Sequence, residues 1–183
     1  GPDGMLAGSR EIFSVILTPG SEIEGSSEGA QGWNFGVGAR GLSIVGATTD
    51  GTLLRDPVHG FGGLTSANFN DVRFTTGEGN EGVTAAFAIF GAGVSLPTDR
   101  AVDVLRLEVE AAGPRPPGGN AALIYFRDDL RPDPDGPPTS IDVVREGVTL
   151  APSLRDKEVA VEGSFLRGDA DADGSTTIGD AIY

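Results

Sequence analysis

The chain has 183 residues, no cysteine and a formal net charge of −14. Such an acidic surface repels nucleic-acid phosphates and anionic membranes, so we expect neither as a partner, and no apolar run approaches the ~20 residues that cross a bilayer. A hydrophobic content of 38% allows one ordinary domain with its own core, while 29 glycines and 12 prolines favour turns and short strands over long helices.

The first part of the chain predicts short strands separated by turns. Residues 1–8 show no periodicity and are expected to form an N-terminal tail. The stretch EIFSVILTPG, residues 11–20, predicts a strand closed by a Pro-Gly turn. Apolar side chains alternate in WNFGV, residues 33–37, and this predicts a second strand with one buried face. The apolar run at residues 42–45 predicts a third strand.

The middle of the chain predicts a hairpin and a long strand. Residues 69–76 and 82–91 flank the polar stretch GEGNEG, which is typical of a β-hairpin. In AVDVLRLEVEA, residues 101–111, apolar and charged side chains alternate with a period of two, which favours a strand over a helix. One predicted face carries Asp103, Leu105, Leu107, Val109 and Ala111, and the other carries Val104, Arg106, Glu108 and Glu110.

The next segments complete the predicted sheets. AALIYF is apolar on both faces and predicts a central strand. A stiff acidic loop at residues 131–138 follows, then two short strands about Glu146-Gly147 and a last strand in EVAVEG. About nine short strands, with no helix before residue 178, predict an all-β fold, an antiparallel β-sandwich.

The C-terminal stretch GDADADGSTTIGD has the residue pattern of a calcium-binding loop. Ca²⁺ takes roughly six to eight oxygen ligands, and the aspartates stand at positions one, three, five and twelve counted from Asp169. Gly174 at position six permits the sharp bend that such a loop needs. The predicted Ca²⁺ ligands are Asp169, Asp171, Asp173, Ser175 through its backbone carbonyl, Thr177 through its hydroxyl or a bound water, and Asp180. The alternative is an acidic tail without a bound ion.

An EF-hand usually closes with Glu at position twelve, whereas Asp180 stands there in this chain. With this departure, GDADADGSTTIGDAIY resembles the calcium loop of dockerin modules, and GSFLRGD resembles the lead-in of dockerins of planctomycete type. The resemblance implies that a helix begins at Ala181. It also implies that residues 164–183 are the first part of a dockerin, which carries two such loops. A single loop lacks its partner, so we expect weak Ca²⁺ binding, about 10⁻⁴–10⁻³ M.

Three segments of the preceding region resemble cohesin modules. They are GAQGWNFGVGARGLSIVGATTDGT, AVDVLRLEVEA and IDVVREGVTLAP. The resemblance is assigned to residues 9–163 and implies a jelly-roll sandwich of nine strands, one flat face of which docks a dockerin. It does not identify that face.

These resemblances predict a non-catalytic module that attaches or assembles proteins outside the cell or at its surface, through Ca²⁺-dependent contacts of the cohesin–dockerin type. The expected partner is a dockerin- or cohesin-bearing protein. Copies of the chain itself also qualify, because one chain carries both halves of a complementary pair and can join head to tail. No signal peptide is visible in the sequence, and a leader could have been removed.

The first alternative is a carbohydrate-binding β-sandwich of a secreted polysaccharide-degrading protein. Such modules stack sugar rings on exposed aromatic side chains, and the supply here is small. Trp33 alternates with apolar neighbours and is expected in the core, and Tyr183 belongs to the predicted helix start.

An enzyme is the second alternative. His59 is the only histidine, and we find no nucleophile elbow, zinc-protease motif or phosphate loop in the sequence. The acidic residues Glu78, Glu81, Asp128 and Asp129 suit glycoside cleavage in type, but they suit a solvated surface equally well. A second acidic stretch, residues 128–136, is interrupted by prolines and is expected to be a solvated loop rather than a calcium site.

Overall fold

The computed structural model describes residues 4–19, 29–52, 68–89, 95–111 and 122–162. Within these ranges the chain is all-β, with eleven strands and no helix. The strands are β1 (Gly4–Leu6), β2 (Arg10–Leu17), β3 (Gly32–Arg40), β4 (Ser43–Thr48), β5 (Asn68–Thr75), β6 (Gly82–Ile89), β7 (Val102–Glu110), β8 (Ala122–Arg127), β9 (Asp142–Arg145), β10 (Val148–Leu150) and β11 (Lys157–Glu162).

The strands form two sheets. The larger sheet has the order β1-β11-β8-β3-β6-β5, with β9 also beside β3 and β10 beside β9, and the smaller sheet has the order β2-β7-β4. Buried side chains from both sheets form one hydrophobic cluster, to which Phe13 and Leu107 contribute from the smaller sheet and Trp33 and Phe87 from the larger. Two sheets that share one core in this way make a β-sandwich, so this part of the prediction is confirmed.

The predicted buried face of β3 is confirmed. Trp33, Phe35 and Val37 are all buried, and they pair across the strands with buried residues of β6. The rings of Trp33 and Phe87 lie with their centroids 5.4 Å apart. Burial of a large apolar side chain contributes about 1.5–3 kcal/mol, so this pair of strands supplies a large share of the core.

The predicted faces of β7 are wrong at Asp103 and Val104. Opposite β2, Val15 pairs with Leu105 and Ile16 with Asp103, so Val104 is an extra residue in the ladder. This β-bulge reverses the inside–outside alternation. Val104 is therefore buried in the core, while Asp103 is partly exposed and accepts a hydrogen bond from the Ser14 hydroxyl.

The first residues differ from the expected tail. Residues 4–6 form β1, which pairs in parallel with β11, and Met5 is buried in the core. A three-residue strand is too short to show periodicity. Its partner lies at the other end of the described chain, so β1 cannot be predicted from the local sequence. This parallel pair is an exception in the predicted antiparallel sandwich. The other strand pairs in the described part are antiparallel.

One strand position of the larger sheet is interrupted. Along the same edge of β3, β8 pairs with residues 36–40 and β9 pairs with residues 32–34. Strands β8 and β9 are thus two halves of one strand position, and residues 128–141 leave the sheet between them. We call this segment the excursion. The predicted pair of strands about Glu146-Gly147 is confirmed as β9 and β10, whose turn residues both have positive φ, as a tight hairpin favours.

Candidate binding cleft

The excursion is anchored on the sheet by one apolar side chain. Leu130 is fully buried, and it packs over two strand glycines, Gly36 and Gly82. A Cβ atom at Gly36 would lie 3.1 Å from Leu130 Cδ1 and would also collide with the Arg127 carbonyl oxygen, and a Cβ atom at Gly82 would lie 2.7 Å from Leu130 Cδ1. The missing side chains of these glycines therefore create the space that Leu130 fills.

Polar contacts attach the excursion to a neighbouring turn and also close it on itself. The Arg131 backbone N–H donates to Asn80 Oδ1 at 2.8 Å, and Asn80 Nδ2 donates back to the Arg131 carbonyl at 3.1 Å. Within the excursion, the Thr139 backbone N–H donates to the Leu130 carbonyl at 2.7 Å. The segment expected to be a solvated acidic loop is thus tied to the turn between β5 and β6.

Arg127 joins the same turn to the start of the excursion. Its Nε and Nη2 atoms each donate to a different oxygen of Asp129 at 2.7 Å, and Nη2 also donates to the Gly79 carbonyl at 2.6 Å. A bidentate arginine–carboxylate pair fixes geometry as well as charge. Arg127 donates these hydrogen bonds to Asp129, and they raise the pKa of Arg127 and lower the pKa of Asp129. A lowered pKa is the opposite of what a general acid needs.

An open polar cleft of about 550 Å³ lies beside this pair. Tyr125 of β8 is half-buried there, and the carboxylates of Glu81 and Asp128 stand on its rim in exposed positions. Arg127 and Asp129 also line it. Because Asp129 is engaged by Arg127, Glu81 and Asp128 give the cleft a net negative charge.

A second cavity, of about 430 Å³, lies on the other side of Asp128. It separates the excursion from the segment that follows β10, and we call it the apolar groove. Its apolar lining is formed by Pro138, Ile141, Ala151, Pro152 and Leu154. Leu154 is 44% exposed, a large fraction for a leucine. Asp128 borders both the polar cleft and the apolar groove, so the two cavities are neighbours on the surface.

The structure describes only some of the residues singled out in the sequence. The six predicted calcium ligands, Asp169, Asp171, Asp173, Ser175, Thr177 and Asp180, lie outside the described residues, as do His59 and Tyr183. Trp33 is in the core, as expected, with 3% of its surface exposed. Three of the four acids considered for catalysis, Glu81, Asp128 and Asp129, meet at the polar cleft, whereas Glu78 is exposed in the turn between β5 and β6.

Sequence reasoning missed Tyr125, Arg127 and Leu130 as a unit. The only local signal was the change from AALIYF to charged residues at the end of β8, which marks where the strand leaves the sheet.

In the part of the chain that the structure describes, no three His, Asp or Glu side chains stand close enough to hold a metal ion, the excursion included. The same part contains no helix that could cross a membrane. No family model matches this chain, and no curated protein matches it.

Proposed function

We propose that this chain is a non-catalytic extracellular attachment module, in which a cohesin-like β-sandwich is followed by the first calcium loop of a dockerin. The observation that carries the proposal is the spacing of Asp169, Asp171, Asp173 and Asp180 around Gly174. Alternate carboxylates before a glycine turn are the ligand arrangement that a flexible, oxygen-binding Ca²⁺ site requires.

The architecture of the described part supports the sandwich half of the proposal. Two sheets enclose one core, and β1 and β11 bring the first and last described strands side by side at one edge of the larger sheet. Only residues 163–168 stand between β11 and the calcium loop, and six residues span at most about 20 Å. A Ca²⁺-loaded loop would therefore be presented close to the sandwich.

In this proposal, Ca²⁺ neutralises the aspartates of the loop and orders it. Four aspartates within twelve residues repel one another, and a divalent cation removes that repulsion while its ligands order the loop. The ordered loop and the helix expected after it then offer a surface to a partner. Without the ion, the same segment keeps its charge and no partner surface forms.

A calcium titration tests this half of the proposal. We expect the full chain to bind one Ca²⁺ with a Kd of about 10⁻⁴–10⁻³ M, and Asp171→Asn to weaken binding at least tenfold because a charged ligand becomes neutral. Asp99→Asn is the matched control, since Asp99 is an exposed acid far in sequence from the loop. Equal Ca²⁺ affinities for both variants and the parent would contradict the assignment of the loop.

The second candidate is carbohydrate binding, and Tyr125 favours it. Its half-buried ring stands in the polar cleft beside Arg127 and Asp128, and an aromatic surface with polar groups around it suits a sugar ring. A pull-down on insoluble polysaccharides would retain the parent chain and release Tyr125→Ala. Equal recovery of the two proteins would remove this candidate.

A further inference from the structure

The surface around Asp128 combines two chemistries that a single peptide segment can satisfy. The apolar groove offers Pro152, Ile141 and the exposed Leu154, and the polar cleft on the other side of Asp128 offers the Glu81 carboxylate. A segment with an apolar side chain followed by a cation would place the first in the groove and the second at the carboxylates.

The chain carries such a segment outside the described residues. Residues 163–183 hold a single cation, Arg167, and it directly follows Phe165 and Leu166. We call these three residues the FLR segment. Its sequence complements the groove and the cleft in order: two apolar side chains, then one positive charge.

The FLR segment cannot reach this surface within its own chain. In the register of β11 against β8, Lys157 pairs with Ile124 and Val159 with Ala122, so β11 runs away from Asp128. At about 3.3 Å per residue, Glu162 lies roughly 30 Å from Asp128 along the strands. The four residues from Glu162 to Leu166 span at most about 14 Å. The FLR segment of a molecule therefore does not occupy that molecule's own groove.

We propose that the FLR segment of one copy docks on the apolar groove and polar cleft of a second copy, with Leu166 against Leu154 and Arg167 at Asp128. The contact joins two different surfaces, so it repeats head to tail rather than closing by symmetry. One short segment buries much less area than a standard interface of about 1,600 Å², and association is therefore weak. It does not use the calcium loop, so it goes beyond the proposed function and is separable from it.

Sedimentation velocity of the full chain in a chelator, over a concentration series reaching the millimolar range, tests the proposal. We expect concentration-dependent association that falls at least fivefold in Leu154→Ser, in Asp128→Arg and in Arg167→Asp. The double variant Asp128→Arg with Arg167→Asp should restore association, because the two charges exchange places. Asp133→Arg is the matched control, as Asp133 is an exposed carboxylate of the excursion that lines neither cavity.

A synthetic peptide of residues 163–168, GSFLRG, provides a second measurement that does not depend on assembly. Labelled peptide should bind the parent chain and lose at least fivefold in affinity for Leu154→Ser. Association that survives every single variant, no association in the chelator, or association that appears only with Ca²⁺ would each overturn the proposal. The last of these results would still agree with the calcium-dependent attachment proposed above.

Discussion

Gly36 shows how much a single missing side chain decides in this molecule. Its position on β3 lies opposite Arg127, the last residue of β8, and Leu130 of the excursion packs over it. Any Cβ atom there would press on the Arg127 carbonyl and on Leu130. The excursion can lie against the sheet only because this residue is glycine.

We expect Gly36→Ala to lower the free energy of unfolding by about 1–3 kcal/mol, because crowding at a packed site forces neighbours to move. Chemical denaturation measures the change. Gly4→Ala is the control, since a Cβ atom at Gly4 would meet only ordinary contacts, the nearest at 3.5 Å. Equal losses in the two variants would show that crowding against the Arg127 carbonyl and Leu130 is not the cause.

A second prediction at the scale of single residues concerns the ion pair between Asp129 and Arg127. Its pKa is lowered by the hydrogen bond from Arg127, so the folded state favours the charged carboxylate more than the unfolded state does. The stability from this pair is present above the unfolded pKa of about 4 and is lost as the pH falls through the lowered folded value.

The variant Asp129→Asn should therefore be less stable than the parent at pH 7, and the difference should shrink towards pH 2. Thermal unfolding of both proteins across this range measures it. The pair is largely exposed on the Asp129 side, so the difference at pH 7 is expected to be small. A difference that grows on acidification would contradict the ion pair.

At the scale of elements, most strands of the sandwich could be predicted from the sequence, but the bulge in β7 and the strand β1 could not. Alternation in WNFGV and LRLEV reports a buried face because each side chain follows the two-residue period of a strand. The bulge at Val104 breaks that period through pairing with β2, and β1 depends on pairing with β11. Such features arise from contacts between distant segments, which a local pattern does not contain.

The excursion behaves as an element of its own, and Leu130 is its anchor. We expect Leu130→Ala to destabilise the protein by about 2–5 kcal/mol if the excursion unfolds with the sandwich, or to release the excursion alone if the two are independent. Limited proteolysis at residues 131–138, together with chemical denaturation, distinguishes these outcomes.

Leu154→Ala is the matched control for this element, because Leu154 is 44% exposed and its truncation should leave both stability and proteolysis near the parent values. Rapid cleavage of Leu130→Ala within the excursion would show that the anchor acts locally. A Leu130→Ala protein with parent stability and no new cleavage would contradict the anchoring role.

At the scale of the whole molecule, the two candidate sites differ in how far they can be predicted from the sequence. The calcium loop is contiguous, so its ligands follow from spacing within residues 169–180, and they remain predictions because they lie outside the described residues. The polar cleft brings Glu81, Tyr125 and Asp128 together beside the groove at Leu154, and this depends on the pairing of β6 and β8 with β3 in the larger sheet. Its acids were recognised by type, but not as neighbours.

The net charge of the whole molecule also affects how copies of the chain associate. A formal charge of −14 keeps copies apart at low ionic strength, and cations such as Ca²⁺ reduce that repulsion. Attachment therefore requires local attraction that exceeds the general repulsion. The calcium loop supplies it in the proposed function, and Arg167 supplies it in the contact between copies.

The proposed attachment of this chain to a partner is a calcium-dependent contact of the cohesin–dockerin type. Isothermal titration calorimetry of the full chain against a complete two-loop dockerin, first with Ca²⁺ and then with a chelator, tests it most directly. We predict heat of binding with Ca²⁺ that disappears with the chelator. No heat in either condition would contradict the claim.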